Sequence, residues 1–276
     1  MRRRVWQVTA GGPRELGAVL AALGDVAALE EGRVFVDGRR AREVGELPVG
    51  ARVEVFVARA LGEPASVVDR FDGFVVALKP AALPTEPDHT GHASLVREVA
   101  ARLGVKQLHA VSRLDVGVSG LVLLSETPAA HRRAQQLKAA GRIARRYLAL
   151  AERAPEPERG AVRQPVGGRA AATRYTCVCR HRAALLALDP ETGRKHQLRL
   201  HMQALGAPLL GDRAHGGAVR LTTPSGRVLE VPRVMLHAAR LELPGRSFSA
   251  PPPDDFRALW LALGGAEADL ERAITV

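Results

Sequence analysis

Residues 110–124 read AVSRLDVGVSGLVLL and place a carboxylate, Asp115, where packing alone does not call for one. Turn-forming glycines and a serine follow Asp115, and the apolar run Leu121–Leu124 is typical of a buried strand. A carboxylate that leads through such a turn into a core strand is expected in or beside a cleft, where a cation must match its charge. Asp115 could instead cap the turn by accepting backbone N–H groups. This stretch alone leaves both interpretations open.

The composition indicates a globular protein with a polyanionic partner. The chain has 276 residues, 46% of them hydrophobic, which is enough for a catalytic domain with a sizeable core and one small appended module. Lysine and arginine total 40 against 29 acidic residues, giving a formal net charge of +11. This excess favours nucleic acid as the partner.

The positive charge is concentrated in one segment. Between His131 and Arg146 there is no acidic residue, and the cations are Arg132, Arg133, Lys138, Arg142, Arg145 and Arg146. A solvated helix face is the ordinary explanation, but a run of one sign gains nothing from the i,i+4 ion pairs that usually support such a face. We therefore expect this segment to contact phosphates.

Several protein classes are excluded by what the chain contains. With only two cysteines, Cys177 and Cys179, a disulfide framework is excluded and a reducing cytoplasm is the simplest location. Cys-x-Cys-x-His through His181 could begin a metal site, but no second ligand pair with usable spacing follows, so we expect no metal and no cofactor. No apolar run approaches the roughly 18 residues of a membrane span. The basic start leads into polar sequence instead of a signal-peptide core. We expect a cytoplasmic monomer without a membrane partner.

The first 60 or so residues are predicted to form a separate α+β module. A strand at 5–8 and helical spacing at 16–23 precede GRVFVDG at 32–38 and LPVGARVEVFV at 47–57. This second half resembles the small RNA-binding domain named after ribosomal protein four of the small subunit. A generic α+β cap on the main domain is the alternative. The predicted division is a module at 1–58, a linker at 59–66 and a catalytic domain at 67–276.

From Val67 onward, short strands mix with a few helices without the regular alternation of a doubly wound sheet. The pattern predicts an α+β fold with a mixed, mostly antiparallel sheet and flanking helices. Strands are predicted at 74–78, 120–124, 146–151, 169–180, 183–188 and 234–243, and helices at 94–103, 128–140, 195–205 and 255–263.

Six motifs in a fixed order resemble the RluA-type pseudouridine synthases over nearly the whole chain. They are FVVALKPAAL at 74–83, RLD at 113–115 with Ser119-Gly120, RRYLA at 145–149, TGRKHQLRLH at 192–201 continuing into GAPLLGD at 206–212, LHA at 236–238 and APPPDDF at 250–256. Three departures from the family pattern bear on substrate choice and contacts with RNA. Ser112 replaces a histidine, residues 116–118 replace a polar run, and Lys195 replaces a threonine.

The resemblance implies an isomerase that converts specific uridines of structured RNA, ribosomal RNA ahead of transfer RNA, into pseudouridine by base flipping. Asp115 would be the catalytic carboxylate, as nucleophile or as base. It would be kept ionised by Arg199, because a facing guanidinium favours the charged form. Tyr147 would stack on the base, Leu198 would form an apolar wall, and Arg113 would fill the gap left by the flipped nucleotide.

Further RNA contacts are expected from residues near these motifs. They are Lys79, Arg132, Arg133, Lys138, Arg145, Arg194 and His196. The i,i+5 spacing of His196 and His201 does not suit a zinc pair, so RNA contact or structural hydrogen bonds are expected of both. The alternative function is a non-catalytic RNA-binding protein that retains the fold. Ser112 and Val118 favour that alternative, whereas the presence of Asp115, Tyr147 and Arg199 together opposes it.

Overall fold

Two β-sheets organise the described part of the chain. The structure is a computed structural model that describes residues 3–25, 28–29, 34–56, 64–87, 93–223 and 225–275. A four-stranded antiparallel sheet lies within residues 3–56, and a ten-stranded sheet lies within residues 66–249.

The small sheet carries one helix. Its elements are β1 (Arg3–Gln7), α1 (Leu16–Ala22), β2 (Val34–Val36), β3 (Arg39–Arg40) and β4 (Arg52–Phe56), in the strand order β1-β4-β2-β3. Leu16, Val19 and Leu20 are buried against Val34 and Val53 of the sheet. Their i, i+3, i+4 spacing places them on one face of α1. The predicted α+β module is therefore present.

The exact division of the chain stays a prediction. Residues 57–63, which hold most of the linker predicted at 59–66, lie outside the described residues. The first strand of the large sheet begins at Ser66, one residue ahead of the predicted catalytic domain.

The remaining elements follow Ser66. The strands are β5 (Ser66–Phe71), β6 (Phe74–Lys79), β7 (His109–Ala110), β8 (Ser119–Ser125), β9 (Ala144–Ala151), β10 (Arg159–Val162), β11 (Thr173–Arg180), β12 (Ala184–Pro190), β13 (Arg220–Thr222), β14 (Val228–Glu230), β15 (Leu236–Leu243) and β16 (Arg246–Ser249). The helices are α2 (Leu95–Leu103), α3 (Pro128–Ala139), α4 (Gln197–Ala204), α5 (Asp254–Ala262) and α6 (Glu267–Thr275). None of the described helices is long and apolar enough to span a membrane.

The large sheet is mixed and mostly antiparallel. Its path is β10-β11-β12-β9-β15-β8-β6-β5, with β16 on β15 and β7 on β8, and β13 and β14 form a separate hairpin. Among the described strands of this sheet, β8 and β15 pair in parallel and every other pair is antiparallel. The predicted fold class is confirmed.

The sheet has an apolar core on each face. Because side chains alternate along a strand, Tyr147 and Ala149 of β9 join one cluster and Leu148 and Leu150 join the other. The first cluster contains Val99 of α2 and the inner residues of α4, Leu198 and Met202. The second cluster contains residues of α5 and α6, among them Phe256, Trp260 and Leu270. The face that bears Tyr147 and α4 is the face that carries the site.

Ser119 and Gly120, both turn-forming residues, begin strand β8, one residue ahead of the strand predicted at 120–124. Gly120 has φ +121°, and a Cβ at this position would lie 2.4 Å from the backbone of Ala238 in β15. Only glycine allows the two strands to approach this closely. Ser119 Oγ lies 2.9 Å from Nδ1 of the fully buried His237, and Nε2 of His237 lies 3.1 Å from the carbonyl oxygen of Ala250. Burial lowers the pKa of His237 to about 4.

Several elements differ from the sequence-based prediction. Helix α4 begins at Gln197 and not at Lys195, because His196 adopts a left-handed backbone conformation (φ 56°) that an α-helix cannot contain. Also not predicted were strands β5, β7, β10 and β16, the β13–β14 hairpin and helix α6. Strands β7, β13 and β14 have only two or three residues each, too few to show a periodic pattern. Helix α6 has nine residues, as many as the predicted helix α5, and its buried Leu270 and Ala273 have helical spacing that the sequence-based prediction missed.

Candidate active site

A cleft of about 950 Å³ opens where the loop before β8, strand β9 and the first turn of α4 meet. Its lining includes Asp115 from the loop, Tyr147 from β9, and Leu198 and Arg199 from α4. Asp115 and Arg199 are 84 positions apart in the chain. Folding therefore brings the three predicted catalytic residues and the predicted apolar wall into one cavity.

A single guanidinium joins two carboxylates in this cleft. Arg199 Nη1 donates to Asp115 Oδ2 at 2.9 Å, while its Nε and Nη2 donate to the two oxygens of Asp212 at 2.7 Å each. The side chain of Asp212 is 1% exposed and that of Asp115 is 30% exposed. The bidentate bond to Asp212 raises the pKa of Arg199 above its ordinary value. Asp212 thus fixes the plane of the guanidinium, which leaves Nη1 to face Asp115.

Asp212 was quoted in the GAPLLGD motif but was given no role by the sequence. Gly211 before it has φ +77°, and a Cβ there would lie 1.8 Å from the carbonyl oxygen of Arg233. The close approach of this backbone explains why glycine precedes the aspartate. The signal for Asp212 was its place in the motif, and its function is visible only from its contact with Arg199.

The geometry of Asp115 does not match that of a turn cap. Among the described residues, no backbone N–H donates to its carboxylate, which instead accepts from Arg199. The turn is closed by the backbone, because Val118 N–H donates to the carbonyl oxygen of Asp115 at 3.0 Å. The carboxylate is therefore free to face the cleft.

Thr85 anchors the loop that carries Asp115. Its Oγ1 donates to the carbonyl oxygen of Leu114 and accepts from the Leu114 N–H, each at 3.0 Å. Thr85 is 3% exposed, so both backbone groups are satisfied away from water. No feature of the sequence had pointed to Thr85.

Lys79 lies under the same loop, and its predicted contact with RNA is wrong. The side chain is fully buried, and Nζ donates to the carbonyl oxygens of Pro80, Leu83 and Val116 at 2.9, 2.7 and 3.4 Å. A buried ammonium needs such acceptors to replace its lost hydration. Lys79 therefore tethers the Asp115 loop to the end of β6 and cannot reach RNA.

Tyr147 and Leu198 form the apolar side of the cleft. Tyr147 is 5% exposed and Leu198 is 7% exposed, and both belong to the core cluster on this face of the sheet. Strand pairing places Tyr147 opposite Leu188 and Ala238. The roles predicted for the two residues, base stacking and an apolar wall, are compatible with these positions and stay predictions.

His196 lies at the rim of the cleft beside the carboxylate. Its Nε2 is 3.6 Å from Asp115 Oδ2, and its Nδ1 is 3.3 Å from Nε2 of His215. Burial lowers the pKa of His196, and the positive charge of Arg199 adds to this effect while Asp115 opposes it. A neutral imidazole at this place can donate or accept a hydrogen bond. His215 had not been singled out from the sequence.

Besides Arg199, five cations line the cleft: Arg113, Lys138, Arg145, Arg194 and Lys195. The first four lie close together. Arg113 is 74% exposed and lies 3.4 Å from Glu86. Burial lowers the pKa of Lys138, and the charges of Arg145, Arg194 and Arg113 lower it further. The mutual repulsion shows that these four cations, which come from four separate segments, lie close together.

The basic run does not act as one surface. Arg132 and Arg133 precede Lys138 by six and five positions, which places them about 120–140° away around helix α3. Neither lines the cleft, and Arg133 lies over the ring of Phe74 at 5.7 Å. The predicted RNA contacts of Arg132 and Arg133 therefore have no support from the cleft geometry.

Gln197 and His201 organise the segment between β12 and α4. Gln197 is 4% exposed, and its Oε1 accepts from the Arg194 N–H and from Thr192 Oγ1. His201 is 1% exposed, with Nδ1 2.9 Å from Thr173 Oγ1 and Nε2 2.9 Å from the Gln164 carbonyl oxygen. Of the two outcomes expected for His201, structural hydrogen bonding is the one observed.

One group of potential metal ligands exists among the described residues. Cys179, His181 and Asp269 have ligand atoms within 4.8 Å of one another. The Asp269 carboxylate already accepts from the Ala266 N–H and pairs with Arg272 at 2.9 Å. Asp269 is the third residue of α6, and it accepts from the N–H of the residue before the helix, as the third helical residue of a capping box does.

Comparison with known proteins gives consistent results. The family described as RNA pseudouridylate synthase matches residues 73–204. The ribosomal large subunit pseudouridine synthase D of Pseudomonas aeruginosa is 30% identical over 270 residues, covering 84% of each chain. The dual-specificity RNA pseudouridine synthase RluA of Escherichia coli is 33% identical over 171 residues, covering 54% of this chain and 75% of that protein.

The fold also resembles a solved structure. Human RNA pseudouridylate synthase domain containing 4 superimposes with a TM-score of 0.59 at 22% identity, covering 72% of this chain and 92% of the human chain. At this identity the similarity shows a shared fold.

Proposed function

Since the chain belongs to the RluA-type RNA pseudouridine synthases, we propose that it isomerises specific uridines of structured RNA at the Asp115 cleft. The family resemblance and the predicted class of enzyme, an isomerase, are thereby confirmed. The observation that supports the proposed site most strongly is the ion pair of Asp115 with Arg199, whose plane the buried Asp212 fixes.

The isomerisation requires three changes in one enclosed site. The bond from N1 of uracil to C1′ of ribose breaks, the freed base turns, and C5 bonds to C1′. The proton on C5 leaves and N1 gains a proton, so no net oxidation occurs and no redox partner is required. Asp115 starts this sequence in its ionised form, as nucleophile or as base. The guanidinium of Arg199 stabilises that charge in a partly desolvated place.

The target nucleotide must leave its stack before it can reach Asp115. Flipping costs a few kcal/mol, which stacking and hydrogen bonding in the pocket must offset. Tyr147 supplies an aromatic face and Leu198 an apolar wall on the inner side of the cleft. Arg113, whose side chain is 74% exposed, fills the space that the nucleotide vacates, a role implied by the family resemblance.

We infer ribosomal RNA as the substrate ahead of transfer RNA. The relative that covers 84% of both chains is named for the large ribosomal subunit. Transfer RNA is the second candidate, because the Escherichia coli relative is named as having dual specificity. The N-terminal module at 1–58 would add RNA contacts, and the protein would act as a monomer in the cytoplasm without a metal or cofactor.

A non-catalytic RNA-binding protein with the same fold remains the alternative function. Ser112 and Val118 favour it, because both depart from the family motif around the carboxylate. The intact contact of Asp115 with Arg199 opposes it, since binding alone does not need a carboxylate held at the cleft.

The proposal is tested by tritium release from RNA labelled at C5 of uridine, using ribosomal and transfer RNA as separate substrates. The native chain should release tritium from ribosomal RNA. Asp115→Asn, which keeps the shape but removes the charge, should release it at least about 10³-fold more slowly. Equal release by both proteins, or no release by the native chain from either RNA, would contradict the catalytic function.

A further inference from the structure

A second cavity lies beside the catalytic cleft. This side groove, of about 730 Å³, is bounded by the last turn of α3, the start of β9 and the segment 189–194. Its volume falls within the roughly 300–1,000 Å³ of ordinary ligand pockets. The two cavities share one wall, to which Lys138, Arg145 and Arg194 all contribute. A chain that leaves the cleft for the side groove must pass these three cations, which we call the junction cations.

The charge differs sharply between the junction and the side groove. Among the described residues, none of the junction cations has an ion-pair partner. The other arginines that line the side groove are all paired: Arg146 with Asp189 at 2.9 Å, Arg174 with Glu191 at 3.8 Å and Arg240 with Glu242 at 2.7 Å. The positive potential is therefore highest at the junction, while the rest of the groove lining, which we call its floor, is polar and close to neutral.

The backbone of the junction lies close to one of its cations, since a Cβ at Gly193 would lie 3.4 Å from Nη2 of Arg145. Cations that repel one another without an internal acid gain stability when an anion binds between them. A phosphodiester is the anion that an RNA substrate supplies at the correct spacing.

We propose that the side groove holds the nucleotide adjacent to the target uridine, with the connecting phosphodiester bound by Lys138, Arg145 and Arg194. This assignment rests on the proposed function, because it takes the target uridine to occupy the Asp115 cleft. The phosphate contacts set the register of the strand. The paired guanidinium and carboxylate groups of the floor then face the neighbouring base, which makes the groove a place for sequence preference.

The test uses a probe with one phosphodiester. The dinucleotide UpU, its neutral methylphosphonate analogue and uridine alone are titrated into the full chain at low salt. The native chain should bind UpU at least about 10-fold more tightly than the neutral analogue, as expected when cations contact the phosphate. In Lys138→Ala this ratio should fall to about 3-fold, because the substitution removes one of the three cations while Arg145 and Arg194 still contact the phosphate.

Arg182→Ala is the matched control, since Arg182 is an exposed arginine before β12, at the end opposite Pro190. It should keep the ratio of the native chain. The same ratio in Lys138→Ala as in the native chain would overturn the proposal, as would UpU binding no more tightly than uridine. Because the titration needs no turnover, it can fail while tritium release succeeds, so the two proposals fail separately.

Discussion

Asp115 and Asp212 bind the same guanidinium, yet the side chain of Asp115 is 30% exposed and that of Asp212 is 1% exposed. Asp212 takes two of the Arg199 donors in a bidentate pair, and Asp115 takes one. Asp115 lies on a loop at the cleft, whereas Asp212 follows a glycine packed against the backbone of Arg233. The same pair of charges thus serves two purposes: the enclosed carboxylate positions the cation, and the accessible carboxylate is available for reaction.

The difference between the two carboxylates is tested most strongly at the buried one, Asp212. Asp212→Asn should lower the free energy of unfolding by roughly 3 kcal/mol, because it removes the charge that compensates a largely buried guanidinium. Turnover should fall through loss of Arg199 orientation. Chemical denaturation measures the stability, and tritium release measures the rate. An unchanged unfolding free energy would show that Asp212 does not hold Arg199.

A second buried polar group, His237, contacts Ser119 at the start of strand β8, which follows the Asp115 loop. Its pKa is about 4 in the folded chain, against about 6.5 in an unfolded chain. Below pH 6.5 the unfolded state therefore binds a proton that the native state does not, and stability falls as the pH decreases toward 4. The loss attributable to His237 should reach about 3 kcal/mol.

Denaturation at several pH values checks this expectation. His237→Gln should be less stable than the native chain at neutral pH, because the contacts to Ser119 and Ala250 are disturbed. Its stability should also vary less between pH 6.5 and 4. An equally steep decline in the variant would assign the pH dependence to other groups.

The smallest effect is expected at Thr85, which anchors the loop that carries the more exposed carboxylate, Asp115. Thr85→Val keeps the shape but leaves the N–H and carbonyl of Leu114 without their partner. We expect a loss of about 1–2 kcal/mol in unfolding free energy. Thr85→Ser, which retains the hydroxyl, should lose less. Equal losses in both variants would mean that the hydrogen bonds to Leu114 do not stabilise the loop.

Much of the fold could be predicted from local patterns. Helix α3 was predicted at 128–140 and is observed at Pro128–Ala139, where Thr127 caps it and proline occupies the first turn. The hairpin of β11 and β12 was also predicted close to its observed place. The parallel pairing of β8 with β15 could not be predicted from local patterns, because it joins segments more than 100 positions apart and depends on Gly120.

The contacts within the site also could not be predicted from local sequence patterns. Arg199 was paired with Asp115 through the family resemblance, since no periodicity relates residues 84 positions apart. Lys79 was expected to contact RNA because it lies in one of the six motifs, whereas three carbonyl oxygens surround it. Thr85 and His215 have no local signal at all. Their positions follow from tertiary packing, which a single sequence does not display.

The most direct test of the different roles of the two carboxylates compares Asp115→Asn with Asp212→Asn for tritium release, RNA affinity and unfolding free energy. We predict that Asp115→Asn loses at least about 10³-fold in rate while its affinity and stability stay near those of the native chain. Asp212→Asn should lose stability together with part of the rate. Retention of the native rate by Asp115→Asn, or identical losses in all three quantities for both variants, would contradict the division of roles between the two carboxylates.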